Sequence, residues 1–241
     1  MAFQIGIGIS RQKSDSFFAG EQAAQDAGQG LGGINPQIVV VMSSPVFSQE
    51  ELIRGVRSVY PQAPLVGCST AGLITSDGPL EEAVGILLLH SDTMSFSPIR
   101  VENISKGMRV AGKQFGAFVS QMAGGQPKGA FIFSDALSGN GTELERGVFE
   151  VLGTGFPLMG GAAGDDMAFK KTYQYFNDEV LCDAAVGFAV AGNVSFAAGA
   201  DHGWRPIGNE LTVTKAEGTT LYELDGKPAF SIYEDYFGDL A

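Results

Sequence analysis

The chain has 241 residues, 44% hydrophobic and 17% charged, the composition of an ordered globular protein with room for one large domain or two small ones. A formal net charge of −12 argues against nucleic acid and anionic membrane surfaces as partners, and two cysteines, Cys68 and Cys182, are too few for a disulfide framework and suit a reducing compartment. The start has neither a basic stretch nor a long apolar core, and no run approaches the roughly 18–20 apolar residues of a membrane span, so a cytoplasmic location is expected.

Phe3, Ile5, Ile7 and Ile9 alternate with Gln4, Gly6, Gly8 and Ser10, the pattern of a strand with one face buried. From Ser14 to about Ala27 the pattern turns helical through Phe17, Phe18, Ala23 and Ala24, and Gly28 to Gly33 closes it. Ile38 to Met42 is apolar throughout, which predicts a strand covered on both faces. Ser48 and Glu51 have the spacing of a capping box, opening a helix that ends near Pro61. Leu65-Val66 is a short buried strand. The small residues Gly67-Cys68-Ser69-Thr70-Ala71-Gly72 after it read as a tight backbone turn with uncovered N–H groups. Ser76-Asp77-Gly78-Pro79 then turns the chain into a buried strand from Ala83 to Leu89.

The second half repeats this order. Glu143-Leu144-Glu145-Arg146-Gly147-Val148-Phe149-Glu150-Val151 matches Glu51-Leu52-Ile53-Arg54-Gly55-Val56-Arg57-Ser58-Val59 at six of nine positions, 92 residues apart. The same offset lays Ile38-Val39-Val40-Val41 on Ala130-Phe131-Ile132-Phe133, and one further residue lays Pro64-Leu65-Val66-Gly67 on Pro157-Leu158-Met159-Gly160. A period this long does not fit a solenoid and indicates two copies of one unit. Copy two therefore predicts a strand from Phe96 to Val101, a helix through Met108 and Phe118, a buried strand to Phe133, and a polar loop over 134–142. A helix capped by Thr142 and Glu145 follows, then the small-residue bend at Gly160-Gly161-Ala162-Ala163-Gly164. Gly55 and Gly147, matching mid-helix glycines, predict close helix–sheet contact. Tyr173 to Leu181 reads as a hairpin and Val186 to Val190 as a buried strand. Phe196 to Gly199 is strand-like; Leu211–Lys215 and Thr219–Leu224 form a second hairpin, and Pro228 opens a final aromatic helix. The expected fold is α/β: two internally duplicated βαβα-plus-hairpin units, about 1–93 and 94–194, forming mixed β-sheets flanked by helices and related by an approximate twofold, with 195–241 as a hairpin and last helix.

Four motifs in order carry a family likeness: Val66-Gly67-Cys68-Ser69-Thr70-Ala71-Gly72, Gly160-Gly161-Ala162-Ala163-Gly164-Asp165-Asp166, His202-Gly203-Trp204-Arg205-Pro206-Ile207-Gly208 and Leu224-Asp225-Gly226-Lys227-Pro228-Ala229. Together they resemble the N-terminal segment of FIST domains over nearly the whole of 1–241, and the C-terminal FIST segment that normally follows is absent from this sequence. The resemblance implies a sensory input module of intracellular signalling proteins that binds a small metabolite such as an amino acid. It implies no catalytic residue set, so a binding protein and not an enzyme is expected. It also implies an output partner such as a histidine kinase, and for some bacterial relatives haem-based nitric-oxide sensing; a protein-interaction module using the final aromatic helix is a further alternative.

The candidate ligand-binding residues follow from chemistry. Cys68, Ser69 and Thr70 on the first bend and Gly160 and Gly161 on the second offer backbone N–H groups to a carboxylate. Asp165 and Asp166, which replace Gly72 and Leu73 of the first copy, and Asp135 offer carboxylates to an ammonium. Arg205 can grip a carboxylate in bidentate fashion, Trp204 can wall a pocket, and His202 is the axial ligand if haem binds, with His90 a structural histidine. Neither GxGxxG nor GxxxxGK[ST] follows a strand, no zinc-type spacing occurs, and Cys68 lacks a local base, so nucleotide, metal and thiol-nucleophile chemistry are not expected.

Overall fold

In a computed structural model, which describes residues 3–122, 125–197, 199 and 203–238, the first strand is β1 (Phe3–Ser10). Helix α1 (Ser16–Gln29) crosses it so closely that a Cβ on Gly6 or Gly8 would stand 2.0 or 1.9 Å from the carbonyl oxygens of Ala27 and Ala23. The alternation is present, but the packed face is the glycine face. Phe3, Ile5 and Ile7, expected inside, are exposed, and Phe3 and Ile7 front open space between the two sheets described next.

The chain continues through β2 (Ile38–Ser43), α2 (Gln49–Val59), β3 (Leu65–Ser69), β4 (Leu73–Thr75), β5 (Gly78–Leu80) and β6 (Val84–Ser91). It then runs through β7 (Met94–Glu102), α3 (Met108–Ser120), β8 (Pro127–Asp135), α4 (Gly141–Leu152), β9 (Leu158–Ala163), β10 (Gln174–Phe176), β11 (Glu179–Leu181) and β12 (Ala184–Gly192). One sheet has the order β1-β6-β2-β3-β10-β11 and the other β7-β12-β8-β9. In both, a half's first strand pairs with its last, then its second and third. The second and third are parallel and the rest antiparallel, so both sheets are mixed. The hairpins break the correspondence. β10–β11 of the second half pairs with β3 of the first, whereas β4–β5 stands as a ribbon of its own.

The sheets stack. Val39, Val41, Leu65 and Ile86 pack against Leu52, Ile53 and Val56 of α2 and the alanines of α1. Ile99, Ala130, Ile132 and Ala185 do the same with Phe115, Leu144 and Val148 of α3 and α4. Between the sheets, Ile38, Val40, Val66 and Cys68 meet Phe133, Val186, Phe188 and Val190. The result is a helix–sheet–sheet–helix stack, which explains why β2 and β12 are apolar on both faces.

The mid-helix glycines serve helix–helix contact, not the helix–sheet contact expected from sequence. A Cβ on Gly55 would lie 2.0 Å from the Phe17 carbonyl oxygen on α1, and one on Gly147 2.2 Å from that of Arg109 on α3. Two cap expectations also change. Ser48 precedes α2 without a side-chain capping bond, and α4 is capped by Asn140, whose Oδ1 accepts from Thr142 N at 3.0 Å. The strand-like 196–199 segment has no strand among its described residues.

Residues 1–198 form one compact unit and 199–241 a second. The second contains β13 (Val213–Glu217), β14 (Thr220–Leu224), β15 (Lys227–Pro228) and α5 (Ala229–Phe237). Pro228 is the residue before α5, and the rings of Phe230, Tyr233 and Phe237 stack along the exposed helix surface.

Candidate functional site: the cleft between the sheets

Gly67 and Gly160 lie inside β3 and β9, not in turns after them. Their φ angles are 157° and 140°, and a Cβ would fall 1.9 Å from the Val41 carbonyl oxygen and 1.8 Å from that of Ile132. Glycine is therefore required for each strand to lie against its parallel neighbour. Where the strands end, the two halves touch. Gly164 N donates to Ser69 O at 3.0 Å, and Ser69 Oγ donates to Gly164 O at 2.7 Å while accepting from Tyr173 N at 3.0 Å. Thr70 N donates to Ser43 O at 2.8 Å.

Beside this junction a cavity of about 590 Å³ opens between the sheets. Its floor is Val40, Met42, Cys68, Phe131, Phe133 and Phe188; Ile7 and Ile9 form one wall, and Leu73, Ile74, Thr75 and Gly160 to Ala162 form the rim. Among the described residues none that lines it is charged. Burial pushes the Cys68 thiol up to about 12, so it is neutral, with Met42 Sδ at 3.6 Å as its neighbour. A second opening of about 590 Å³ shares Leu87, Leu89, Phe131 and Phe188 and extends to Phe3, Phe96 and Phe196. Polar capacity at the first cavity comes mainly from main chain. Among the described residues β9 pairs only with β8, and Ala130 N donates to Pro157 O, so the N–H and C=O groups of alternate residues Leu158, Gly160 and Ala162 face the free edge.

Of the residues singled out from sequence, Cys68, Ser69, Thr70, Gly160 and Gly161 line this cavity together. The acidic residues are placed elsewhere and have other partners. Asp135 accepts from Leu137 N at 2.8 Å, Thr172 Oγ1 at 2.8 Å and Asp183 N at 2.9 Å. Asp165 accepts from Lys170 N at 2.7 Å, Lys171 N at 3.0 Å and Phe169 N at 3.0 Å, and these main-chain donors hold its carboxyl below the usual range. Asp166, at φ 53°, accepts from Ser44 Oγ at 2.9 Å. The first two fasten the loop that carries the chain from β9 to β10. His202 lies outside the described residues. Trp204, 86% exposed, and Arg205 belong to the second unit. His90 Nδ1 is 3.1 Å from Asn35 O, a structural contact. Sequence reasoning missed Ile7, Ile9, Phe131 and Phe133 as lining residues. The glycines opposite the isoleucines of β1 are the signal that could have shown which face is free.

Residues 37–227 match the FIST N domain. The chain belongs to the FIST family. FIST domains are sensor-type domains of signal-transduction proteins. An uncharacterized protein of Methanocaldococcus jannaschii is 28% identical over 93% of this chain and 44% of its own length. An uncharacterized protein of Mycobacterium tuberculosis is 25% identical over 93% of this chain and 57% of its own. The chain thus spans about half the length of these relatives. Among solved structures, a cyanuric acid hydrolase from A. caulinodans covers 80% of the chain, and the chain 72% of it, at 9% identity and a TM-score of 0.42, a likeness that transfers no activity. Among the described residues no helix is long and apolar enough to cross a membrane.

Proposed function

We infer that the stacked unit is a sensory ligand-binding domain whose guest is a small metabolite, an amino acid with a large apolar side chain. The cavity between β3 and β9 is the observation that carries this reading. Its volume of about 590 Å³ falls within the range of roughly 300–1,000 Å³ usual for small-molecule sites. Its walls suit an aliphatic or aromatic side chain. The outward N–H and C=O groups of Gly160 and Ala162 suit the carboxylate and ammonium ends, as uncharged main-chain donors and acceptors do. An acidic or basic side chain would be desolvated there without a partner, which excludes it. Occupancy would be read by an output partner such as a histidine kinase.

The test is thermal unfolding of the protein against the twenty amino acids, followed by calorimetric titration of the hits. A ligand at about 100 times its Kd stabilises by about 2.7 kcal/mol, which for a chain of this size raises Tm by roughly 5–10 °C. Such a rise is expected with leucine, isoleucine, methionine or phenylalanine, not with aspartate, glutamate or lysine, and is expected to vanish in Gly161→Trp, which projects from β9 into the cavity on the same face as Phe133. No shift across the panel, or a shift indifferent to Gly161→Trp, would overturn the reading.

A further inference from the structure

β3 and β9 hold equivalent places in the two sheets, yet only one is covered. On β3, β10 pairs antiparallel, with Gln174 opposite Cys68, Tyr175 opposite Gly67 and Phe176 opposite Val66. Among the described residues the equivalent edge of β9 is free, and the hairpin that corresponds to β10–β11, namely β4–β5, is unpaired outside its own ribbon. Both hairpins have three-residue strands joined by two-residue turns, Asn177-Asp178 and Ser76-Asp77. Transferring the register of β10 on β3 puts Leu73 opposite Gly161, Ile74 opposite Gly160 and Thr75 opposite Met159.

We propose that β4–β5 is a lid that closes over the cavity by adding β4 antiparallel to the free edge of β9 in this register. The hairpin is rooted within reach, since a Cβ on Gly164, just past β9, would lie 2.8 Å from Ala71 N. The side chains also fit. Tyr175 is fully buried on the helix side of its sheet, bonded to Ser43 Oγ at 2.7 Å and to Gln49. Its counterpart Ile74 is 95% exposed. The matching place beside β9 is an empty pocket of about 240 Å³ between that strand and α4, lined by Gly141, Leu144, Phe149 and Gly160. Closure turns Ile74 into this pocket and leaves Leu73 and Thr75 facing the larger cavity, whose rim they already form. It satisfies the orphan main-chain groups of Gly160 and Ala162 and buries the most exposed apolar side chain of the hairpin.

The equivalent hairpin is fixed, and the differences explain why this one moves. Arg57 on α2 donates to Ala63 O at 2.5 Å and pairs with Asp178 at 2.8 Å in the β10–β11 turn. The position 92 residues on from Arg57 is Phe149, and that from Gln49 is Gly141, so neither the clamp nor the polar anchor is repeated at β9. The lid deepens the ligand-binding reading by giving the cavity a gate: closed, β4 takes up the main-chain groups of Gly160 and Ala162 that would hold the guest's polar ends, so closure and occupancy compete. Its test needs no ligand, so either idea can fail alone.

In a Cys182→Ser background, Leu73→Cys with Gly161→Cys sets two thiols on facing positions. Gly161 accepts the side chain because nothing lies within 4 Å of its Cβ site. Under oxidation with copper phenanthroline, the pair is expected to cross-link at least about tenfold faster than Leu80→Cys with Gly161→Cys, where β5 lies one strand further out and the thiols exceed disulfide reach. Adding Ala162→Pro, which removes an outward N–H without touching the β8 ladder, is expected to suppress the fast reaction. Should the first pair not fold, Thr75→Cys with Met159→Cys repeats the test at the other facing position. Equal rates in the two pairs, no cross-link at either facing position, or a cross-link indifferent to Ala162→Pro would overturn the lid.

Discussion

Adding one methyl group at neighbouring glycines should have opposite consequences. At Gly67 the backbone sits at φ 157° and a Cβ would lie 1.9 Å from Val41 O; at Gly160 the figures are 140° and 1.8 Å from Ile132 O. Strain at such angles costs about 1–3 kcal/mol, and forcing a carbon into a packed contact about 1–3 kcal/mol more. Gly67→Ala, in an interior strand that cannot relax, should lose roughly 3–5 kcal/mol, and Gly160→Ala, on an edge, somewhat less. At about 2–4 °C per kcal/mol for this size, Tm falls by roughly 10 °C in the first. Gly161 does not sit at a positive φ and has open space where its Cβ would be, so Gly161→Ala should stay within about 0.5 kcal/mol of the parent, or gain slightly from a stiffer unfolded chain. Urea unfolding followed by circular dichroism measures all three. A Gly161→Ala loss as large as that of Gly67→Ala would refute the close strand approach as the reason for these glycines.

Tyr175→Phe should cost about 1–2 kcal/mol in urea unfolding, because a fully buried hydroxyl leaves Ser43 and Gln49 short of a partner; burial also keeps the phenol neutral by pushing its pKa up. Asp165→Asn should lower Tm at neutral pH by loosening the loop before β10. Because the folded carboxyl is held below its ordinary value by main-chain donors, its contribution is present above about pH 4 and lost as pH falls through the depressed folded pKa. The Tm difference between parent and Asp165→Asn should therefore be flat from neutral pH to about 4 and shrink below it; a difference that grows on acidification would reject this role.

Much of the architecture was legible because periodicity and the 92-residue offset are local signals. The apolar runs at Ile38–Met42 and Gly129–Phe133 became interior strands, and the paired glycines Gly55 and Gly147 took equivalent places on helix pairs. The misreadings share one physical cause, that a pattern does not say what lies opposite. The alternation in β1 was visible, but the glycine side proved to be the packed one because α1 lies against it. Gly67 and Gly160 looked like turn residues, yet each serves a strand pressed against its neighbour. The exchange of β10–β11 onto the first sheet depends on contacts more than 100 residues apart, which no local pattern carries. Asp135 and Asp165 read as carboxylates for a ligand ammonium, and only the folded loop reveals the donors that occupy them. The cavity's apolar lining was invisible for the same reason, since core and pocket walls draw on the same residue types.

Methyl-resolved NMR of isoleucine-labelled protein, titrated with phenylalanine and leucine, addresses the cavity most directly. Ile7, Ile9, Ile74 and Ile86 line it, whereas Ile34, Ile53, Ile99 and Ile104 do not. Saturable shifts are expected in the first group, with the second unmoved. Shifts confined to the second group, or none in either at ligand concentrations that raise Tm, would contradict a binding site between the sheets.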